Sequence, residues 1–419
     1  MKIIKNESSR KETAMDHFIT GIKIKEVRHL SNIDIKLNSE NRQHLMLTGK
    51  NGSGKTSLLL SIQEHFRRND IDNGTIERMT EYWWQLKKIA EKNNIEPPEW
   101  ETLNRLTEDY KRKSDIIISV NQWQELRKLY KQGDFIVACF PADRKFNVLP
   151  ARGVEEIKLA EFHASDDGPG KLLQKYMVHL KTQQAYARNE GDAAVAEKIQ
   201  KWFDRFTNAL KILLDDSELT LEYDYKEYDF KICENGRKPF GFNQLSDGYS
   251  SVIYIVSDLI LRMDRNWFLN GEINGYDEEG IVLIDELETH LHIELQKKIM
   301  PFLTEFFPRI QFIVTTHSPY ILNSISNVRI YDLERYIEME NLSAYSSESL
   351  AEGYFGADEY SDELKRKLER YQVLKEKINP TDDERAECAE LRIELKNIPK
   401  TLSPEAWERF EEIEGGKLW

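Results

Sequence analysis

Residues 49–56 read Gly-Lys-Asn-Gly-Ser-Gly-Lys-Thr, and this stretch decides the fold. It follows a short apolar run at 45–47 and precedes a helix-patterned segment that extends to about Phe66. Glycines at this spacing let successive backbone N–H groups point inward at phosphates, and the helix that follows adds the positive end of its dipole. The strand, loop and helix occur in the order of a phosphate-binding loop. The sequence therefore predicts an α/β protein that binds and hydrolyses ATP.

The loop supplies most of the predicted nucleotide contacts. Lys55 is expected to reach the β- and γ-phosphates and to assist hydrolysis, and Thr56 is expected to bind Mg²⁺. ATP and Mg²⁺ are thus the predicted cofactors. The residues expected to contact the nucleotide here are Gly49, Lys50, Asn51, Gly52, Ser53, Gly54, Lys55, Thr56 and Ser57.

An unbroken apolar run at 280–284 ends in two acids, Asp285 and Glu286. Such a run is typical of a strand that is buried on both faces of a parallel sheet. Its carboxyl end lies at the edge where ligands bind and where the phosphate-binding loop emerges. We expect Asp285 to hold Mg²⁺ through water and Glu286 to act as the general base. Alternatively, an acidic pair after a strand is a solvated turn or a helix N-cap.

A further buried-strand pattern at 310–316 leads directly to His317. A histidine at the carboxyl end of such a strand, one helix and one strand after the acidic pair, is expected to contact the γ-phosphate. The alternative is that this histidine is structural or a surface residue.

Residues 242–251 open an apolar helix that extends to about Met263. Ser246, Asp247 and Gly248 lie at its start. Ser246 can cap the helix N-terminus, and capping alone would account for these three residue types.

Four motifs in this order resemble those of the ABC-superfamily nucleotide-binding head, in its RecF/SMC/OLD-like branch. The resemblance covers roughly residues 20–335 and extends to the first strand pair and to the loop after the acidic strand. The matching segments are 22–35, 49–56, 245–248, 281–286, 286–292 and His317.

The resemblance implies an α/β, ABC-type P-loop NTPase head with a mixed or parallel sheet, helical insertions and a C-terminal helical appendage. It also implies that Ser246 and Gly248 contact the γ-phosphate of ATP held by a second subunit, with Asp247 between them in the same nucleotide-binding segment. The active unit would then be a head-to-head dimer with two nucleotides at its interface.

Two departures from the family pattern concern these contacts. The signature of the family reads Leu-Ser-Gly-Gly-Gln, whereas this chain has Asp247 in place of the first glycine and Tyr249 in place of the glutamine. The metal-touching glutamine of the family is not evident after the strand pattern at 134–140. Asp143 or Arg144 could substitute for it, and the alternative is a proline-led turn with a solvated ion pair.

Composition limits the class of protein. No apolar run approaches the roughly 18–20 residues that would span a bilayer, so we expect a cytoplasmic protein without a membrane partner. The three cysteines are scattered and indicate neither a disulfide framework nor a zinc site. The net charge of −14 argues against a protein that coats nucleic acid, although a local basic face remains possible.

The predicted domains are an ATPase head at 1–335 and a helical region at 336–419. The head carries helical insertions at about 57–130 and 155–216. Apolar residues at helical spacing mark the second insertion and the C-terminal region, and Thr381 and Glu384 form a capping-box pattern. The apolar stripe of the insertion is Val195, Ile199, Trp202, Phe203, Phe206, Leu210 and Leu213, and that of the C-terminal region is Leu364, Leu368, Tyr371, Leu374 and Ile378.

The family resemblance also suggests a role. The chain is similar to stand-alone ATPase subunits of anti-phage systems such as Septu, PARIS and retron-associated modules, and it lacks the nuclease pattern of OLD-type relatives. This implies a homodimer or higher homo-oligomer that regulates a separate effector, either a nuclease or a toxin. The alternatives are a RecF-like DNA-repair ATPase that clamps DNA, and a nucleotide-gated scaffold with little turnover.

Overall fold

The computed structural model describes residues 16–68, 85, 87–92, 115–144, 148–157, 159, 163–264, 278–354, 362–397 and 404–415. Of the predicted helical insertion at about 57–130, residues 69–84, 86 and 93–114 lie outside these residues, and the described remainder contains a strand at Ile116–Val120 besides helices.

The described residues contain eleven strands, which form three sheets. In chain order they are β1 (Ile19–Val27), β2 (Leu30–Lys36), β3 (His44–Thr48), β4 (Ile116–Val120), β5 (Phe135–Phe140), β6 (Thr220–Asp224), β7 (Asp229–Cys233), β8 (Glu279–Ile284), β9 (Ile310–Thr315), β10 (Val328–Asp332) and β11 (Ile337–Glu340).

The largest sheet has six strands in the order β11-β10-β3-β9-β8-β5. All neighbours in it are parallel except β10 and β11, which pair antiparallel. Every residue of β3, β8 and β9 is buried, because these apolar runs are covered on both faces. The predicted α/β fold of a P-loop NTPase head with a mixed sheet is confirmed.

The described helices are numbered in chain order. They are α1 (Lys55–Arg68), α2 (Trp123–Gln132), α3 (Leu173–Glu190), α4 (Ala193–Leu214), α5 (Asp247–Met263), α6 (Ile293–Phe306), α7 (Pro319–Leu322), α8 (Ser347–Gly353), α9 (Asp362–Glu376), α10 (Asp382–Lys396) and α11 (Pro404–Gly415).

A three-stranded antiparallel sheet, in the order β2-β1-β4, shares one hydrophobic core with α1 and the large sheet. Leu58 and Ile62 of α1 lie in this core between residues of both sheets. The helix α1, which follows the phosphate-binding loop, is therefore held in place by apolar side chains of both sheets.

The predicted insertion at 155–216 contains the α3–α4 helix pair. Its apolar stripe on α4 is buried as predicted from Ile199 to Leu213. Val195 is the exception and is 37% exposed, because it lies in the first turn of the helix. Trp202 stacks on Phe206 and meets Tyr176 of α3 edge-on, so the stripe forms core packing.

The chain divides into two compact units, one that ends at Ala344 and one that begins at Tyr345. The predicted boundary between residues 335 and 336 falls inside the β10–β11 hairpin, and β11 pairs with the large sheet beyond it.

The second unit has a small core of its own, formed by α9, α10 and α11 around Leu368, Tyr371, Leu395 and Phe410. The predicted capping box is present, since Thr381 Oγ1 accepts from Glu384 N and Glu384 Oε2 accepts from Thr381 N. Ile378 was predicted in the apolar stripe of α9, but this is wrong. Its exposed fraction is 93%, because α9 ends at Glu376.

Among the described helices, none combines the length and the apolar character needed to cross a membrane.

The aromatic cluster around Trp202 generates a stability prediction. Trp202→Ala removes three ring contacts and the indole donor of a 2.5 Å hydrogen bond to Asp264 Oδ2. We expect the free energy of unfolding to fall by about 3–5 kcal/mol in urea titrations followed by circular dichroism. Ile212→Ala, on the same helix but 54% exposed, should change it by no more than about 0.5 kcal/mol. Equal effects of the two substitutions would contradict the core assignment.

Candidate active site

The predicted phosphate-binding loop lies between the end of β3 at Thr48 and the start of α1 at Lys55. Gly49, Gly52 and Gly54 have φ values of 127°, 85° and 95°, a region that other residues rarely adopt. At Gly49 a Cβ would also lie 2.8 Å from Ser53 Oγ and 3.2 Å from Glu334 N. Only glycine therefore allows this loop to pack against the segment that follows β10.

Lys55 is buried inside the loop that it follows. Its Nζ donates to the carbonyl oxygens of Gly49 at 2.7 Å and Lys50 at 3.1 Å. Burial lowers the pKa of Lys55, and the carboxylates of Glu286, Glu288, Asp285 and Asp332 oppose this shift. Acids at the ends of two later strands, β8 and β10, thus favour the charged form of the lysine.

Asp285 directly follows β8 and connects the end of that strand to the start of α1, just after the phosphate-binding loop. Its Oδ1 accepts hydrogen bonds from Thr56 Oγ1 at 3.2 Å and from Thr315 Oγ1 at 2.6 Å. A hydroxyl and a carboxylate oxygen are the hard donors that Mg²⁺ prefers, and their closeness fits a site for this ion. The structure therefore brings the two predicted Mg²⁺-binding residues together.

Glu286 has an unusual backbone conformation, with a φ of 43°. Its N–H donates to Thr315 Oγ1 at 2.7 Å, and its Oε2 accepts from Thr289 Oγ1 at 3.2 Å. The solvated-turn alternative does not describe this acidic pair, because Asp285 is buried and Glu286 is half-buried.

His317 lies at the end of β9 beside these acids. Its backbone N–H donates to Glu288 Oε1 at 2.5 Å, and its Nε2 is buried without a hydrogen-bond partner among the described residues. Burial and the charge of Lys55 lower the pKa of His317, while Glu288 and Glu286 oppose the shift. The net shift favours the neutral imidazole.

The predicted signature residues lie at the start of α5. Ser246 occupies the N-cap position but forms no side-chain capping bond, so the capping alternative does not describe its hydroxyl. Ser246 and Asp247 are exposed, whereas Gly248 is buried, and a Cβ there would lie 2.5 Å from His290 O. No hydrogen bond joins Ser246–Gly248 to the phosphate-binding loop within the described part of this chain. Their contact with a nucleotide of a second subunit stays a prediction.

Asp143 and Arg144, the two candidates for the missing glutamine, differ sharply in environment. Asp143 is exposed, but Arg144 is only 5% exposed. The solvated ion pair proposed as an alternative is therefore wrong for Arg144. A guanidinium has no lone pair to offer a metal, so Arg144 does not replace the glutamine as a Mg²⁺ contact.

Two contributors to this site were not predicted from the sequence. Thr315 orients both acids through its hydroxyl, and Glu288 fixes the backbone of His317. In the sequence, Thr315 could have been recognised as a polar residue at the end of an otherwise apolar strand pattern.

This arrangement of loop, parallel strands and helices is the fold of a P-loop NTPase. The chain belongs to the family described as "AAA domain, putative AbiEii toxin, Type IV TA system", whose model matches residues 80–323. The matched range includes both acids, His317 and the start of α5, and it begins after the phosphate-binding loop.

Curated relatives agree with the predicted resemblance. The chain is 25% identical to the Septu protein PtuA of Bacillus mycoides over 413 residues, which cover 94% of this chain and 53% of PtuA. It is 42% identical to the retron Vc95 probable ATPase of Vibrio cholerae over 103 residues, which cover 24% of this chain and 19% of that protein. The chain thus spans about half the length of PtuA. Its predicted similarity to Septu and retron ATPases is confirmed.

Among solved structures, an Smc head bound to the C-terminal winged-helix domain of ScpA matches with a TM-score of 0.40 and 11% identity. The match covers 78% of this chain and 99% of that chain.

The two hydrogen bonds of Thr315 generate a second prediction. Thr315→Val keeps the side-chain volume but leaves the Glu286 N–H without its acceptor and Asp285 Oδ1 without one donor. We expect the free energy of unfolding to fall by about 1–3 kcal/mol, measured by thermal melting. Thr182→Val is the control, because Thr182 Oγ1 donates to Val178 O within α3 and has no other hydrogen bond to a described residue. Equal melting temperatures for the two variants would contradict the role of Thr315.

Proposed function

We propose that this protein binds ATP with Mg²⁺ and hydrolyses it, and that ATP-dependent pairing of two heads regulates a separate effector in anti-phage defence. The observation that carries the proposal is the hydrogen-bonded group formed by Thr56, Asp285, Glu286 and Thr315 beside the phosphate-binding loop. Groups for binding phosphate, holding a metal and accepting a proton thereby occur at one edge of one sheet.

In the proposed reaction, the loop N–H groups and Lys55 bind the β- and γ-phosphates. Thr56 and Asp285 would hold Mg²⁺, which neutralises charge on the phosphate oxygens. Glu286 accepts a proton from water as the water oxygen bonds to the γ-phosphorus and the bond to the bridging oxygen of ADP breaks. The products are ADP and phosphate.

His317 is suited to donate a hydrogen bond to the γ-phosphate. Its Nε2 makes no hydrogen bond to any described residue, and the lowered pKa favours the neutral imidazole. A neutral imidazole whose Nε2 carries the proton donates without adding a second full charge beside Lys55.

Pairing of two heads is supported by the start of α5. The Ser246 hydroxyl is exposed and uncommitted to capping, and the first N–H groups of this 17-residue helix favour an anion. These groups are distinct from the phosphate-binding loop of the same chain, so a second copy would bring them to its nucleotide.

A role in defence rests on the Septu and retron relatives, to which the chain is similar. We infer an associated nuclease or toxin as the regulated effector, and assign its recognition to the second compact unit.

Two substitutions test the ATPase assignment. Lys55→Ala should abolish ATP binding, because it removes the cation that neutralises the β- and γ-phosphates. Glu286→Gln should retain ATP but lower phosphate release by about 10²–10⁴-fold, because the base is lost while its shape is kept. Trapped ATP should stabilise a dimer in light scattering. Glu294→Gln, at an exposed position on α6, is the control. Normal turnover in Lys55→Ala or Glu286→Gln would contradict the assignment.

Removing residues 345–419 tests effector recognition. The first unit has its own core, so we expect ATP turnover to persist while copurification with the products of neighbouring genes is lost. An active truncated protein that still copurifies with its effector would show that the second unit is not the recognition element.

A further inference from the structure

Arg144 connects the acids that follow β8 to α5 through hydrogen bonds. It is almost fully buried just after β5, and its guanidinium donates four hydrogen bonds. Nε donates to Ser251 Oγ at 2.8 Å, and Nη1 donates to Pro141 O at 2.8 Å. The remaining two bonds run from Nη1 to Asp285 O and from Nη2 to Glu286 O, the latter at 3.0 Å. One side chain therefore touches three segments of the head.

All four acceptors are uncharged. An ion pair on the surface contributes little to stability, and its side chains move. A buried planar guanidinium that donates to carbonyl and hydroxyl oxygens is instead held in one orientation. Burial lowers the pKa of Arg144 to about 10, and the carboxylates of Asp285, Glu288 and Glu286 oppose the shift. The group therefore stays protonated at physiological pH and keeps its donors.

The bonds to carbonyl oxygens fix the backbone on which Glu286 stands. Its left-handed φ of 43° is unfavourable for a residue with a side chain. Thr315 holds the N–H of Glu286, and Arg144 holds the carbonyl groups on both sides of that residue's Cα. The direction of the Glu286 side chain therefore depends on the position of the guanidinium.

Ser251 lies in the first turns of α5, close in sequence to Ser246. Further along the same helix, Asp258 accepts from Gly170 N at 3.1 Å and from Arg262 Nε at 2.6 Å. A Cβ at Gly170 would lie 3.0 Å from Asp258 N, so this segment packs tightly on the helix. The helix is thus a rigid element whose start faces solvent and whose next turn holds Arg144.

We propose that Arg144 is a positioning residue that couples the placement of α5 to the orientation of Glu286. The inference rests on the proposed ATPase function and deepens it. When the Ser246 end of α5 binds a nucleotide on a second copy, the position of α5 becomes fixed. The hydrogen bond between Ser251 and Arg144 transmits that position to the Glu286 backbone. Hydrolysis in each head then depends on engagement of its own α5, although Arg144 contacts neither nucleotide nor metal.

The first test separates turnover from binding. Arg144→Lys and Arg144→Gln should lower kcat by about 10–100-fold and change the Kd for ATP by less than about twofold. Ser251→Ala should lower kcat in the same direction, by about 5–10-fold. Ser257→Ala is the matched control, because this buried serine lies on the same helix and its hydroxyl has no described partner. It should leave both constants unchanged.

The second test addresses coupling. Ser246→Ala should lower kcat in the wild-type background but have no further effect when combined with Arg144→Gln, since both act through one connection. Independent, multiplicative effects would overturn the coupling. If the Arg144 variants do not fold, as shown by thermal melting, the same cycle with Ser251→Ala decides the question.

The outcomes distinguish this inference from the proposed function. A wild-type protein without ATP turnover overturns both. An active wild-type protein whose Arg144 or Ser251 variants keep a normal kcat overturns the positioning role alone, and so does a loss confined to ATP affinity.

Discussion

The hydrogen bonds received by Asp285 Oδ1 are the interaction on which the site depends. Thr56 and Thr315 donate them from positions 229 and 30 residues away, at the ends of other secondary-structure elements. The parallel arrangement of β3, β9 and β8 places these ends at one edge of the sheet. Without that edge, the loop, the acids and the histidine would have no common location, and their individual chemistry would not combine.

The site also balances charge in a partly buried space. Lys55 and Arg144 lie among Asp285, Glu286 and Glu288, and burial alone would disfavour each cation. Both cations donate mainly to backbone carbonyl groups, which leaves the carboxylates available to metal, water and hydroxyl groups. The acids can therefore lie beside a phosphate-binding loop, which itself attracts negative charge, without being neutralised by direct ion pairs with the two cations.

The distribution of exposed and buried groups on α5 links this site to the surface. Its first residues are exposed, Gly248 packs closely on the loop after the acids, and later polar residues are buried against the segment at 164–170. The helix therefore belongs both to the outer surface of the head and to the support of the acidic strand. Because the residues along α5 are closely packed, we expect a displacement of its exposed end to move the residues that support the acids.

The sequence by itself determined the elements whose causes are local. The glycine spacing of the loop, the apolar strand patterns before Glu286 and His317, and the Thr381 capping box each depend on residues that are close in the chain. Only the tertiary structure decided the role of Arg144, the function of Thr315, and the extension of the sheet through β11. These features arise from contacts between residues far apart in sequence, and a short proline-led turn carries no sign of which distant carbonyl groups its arginine will meet.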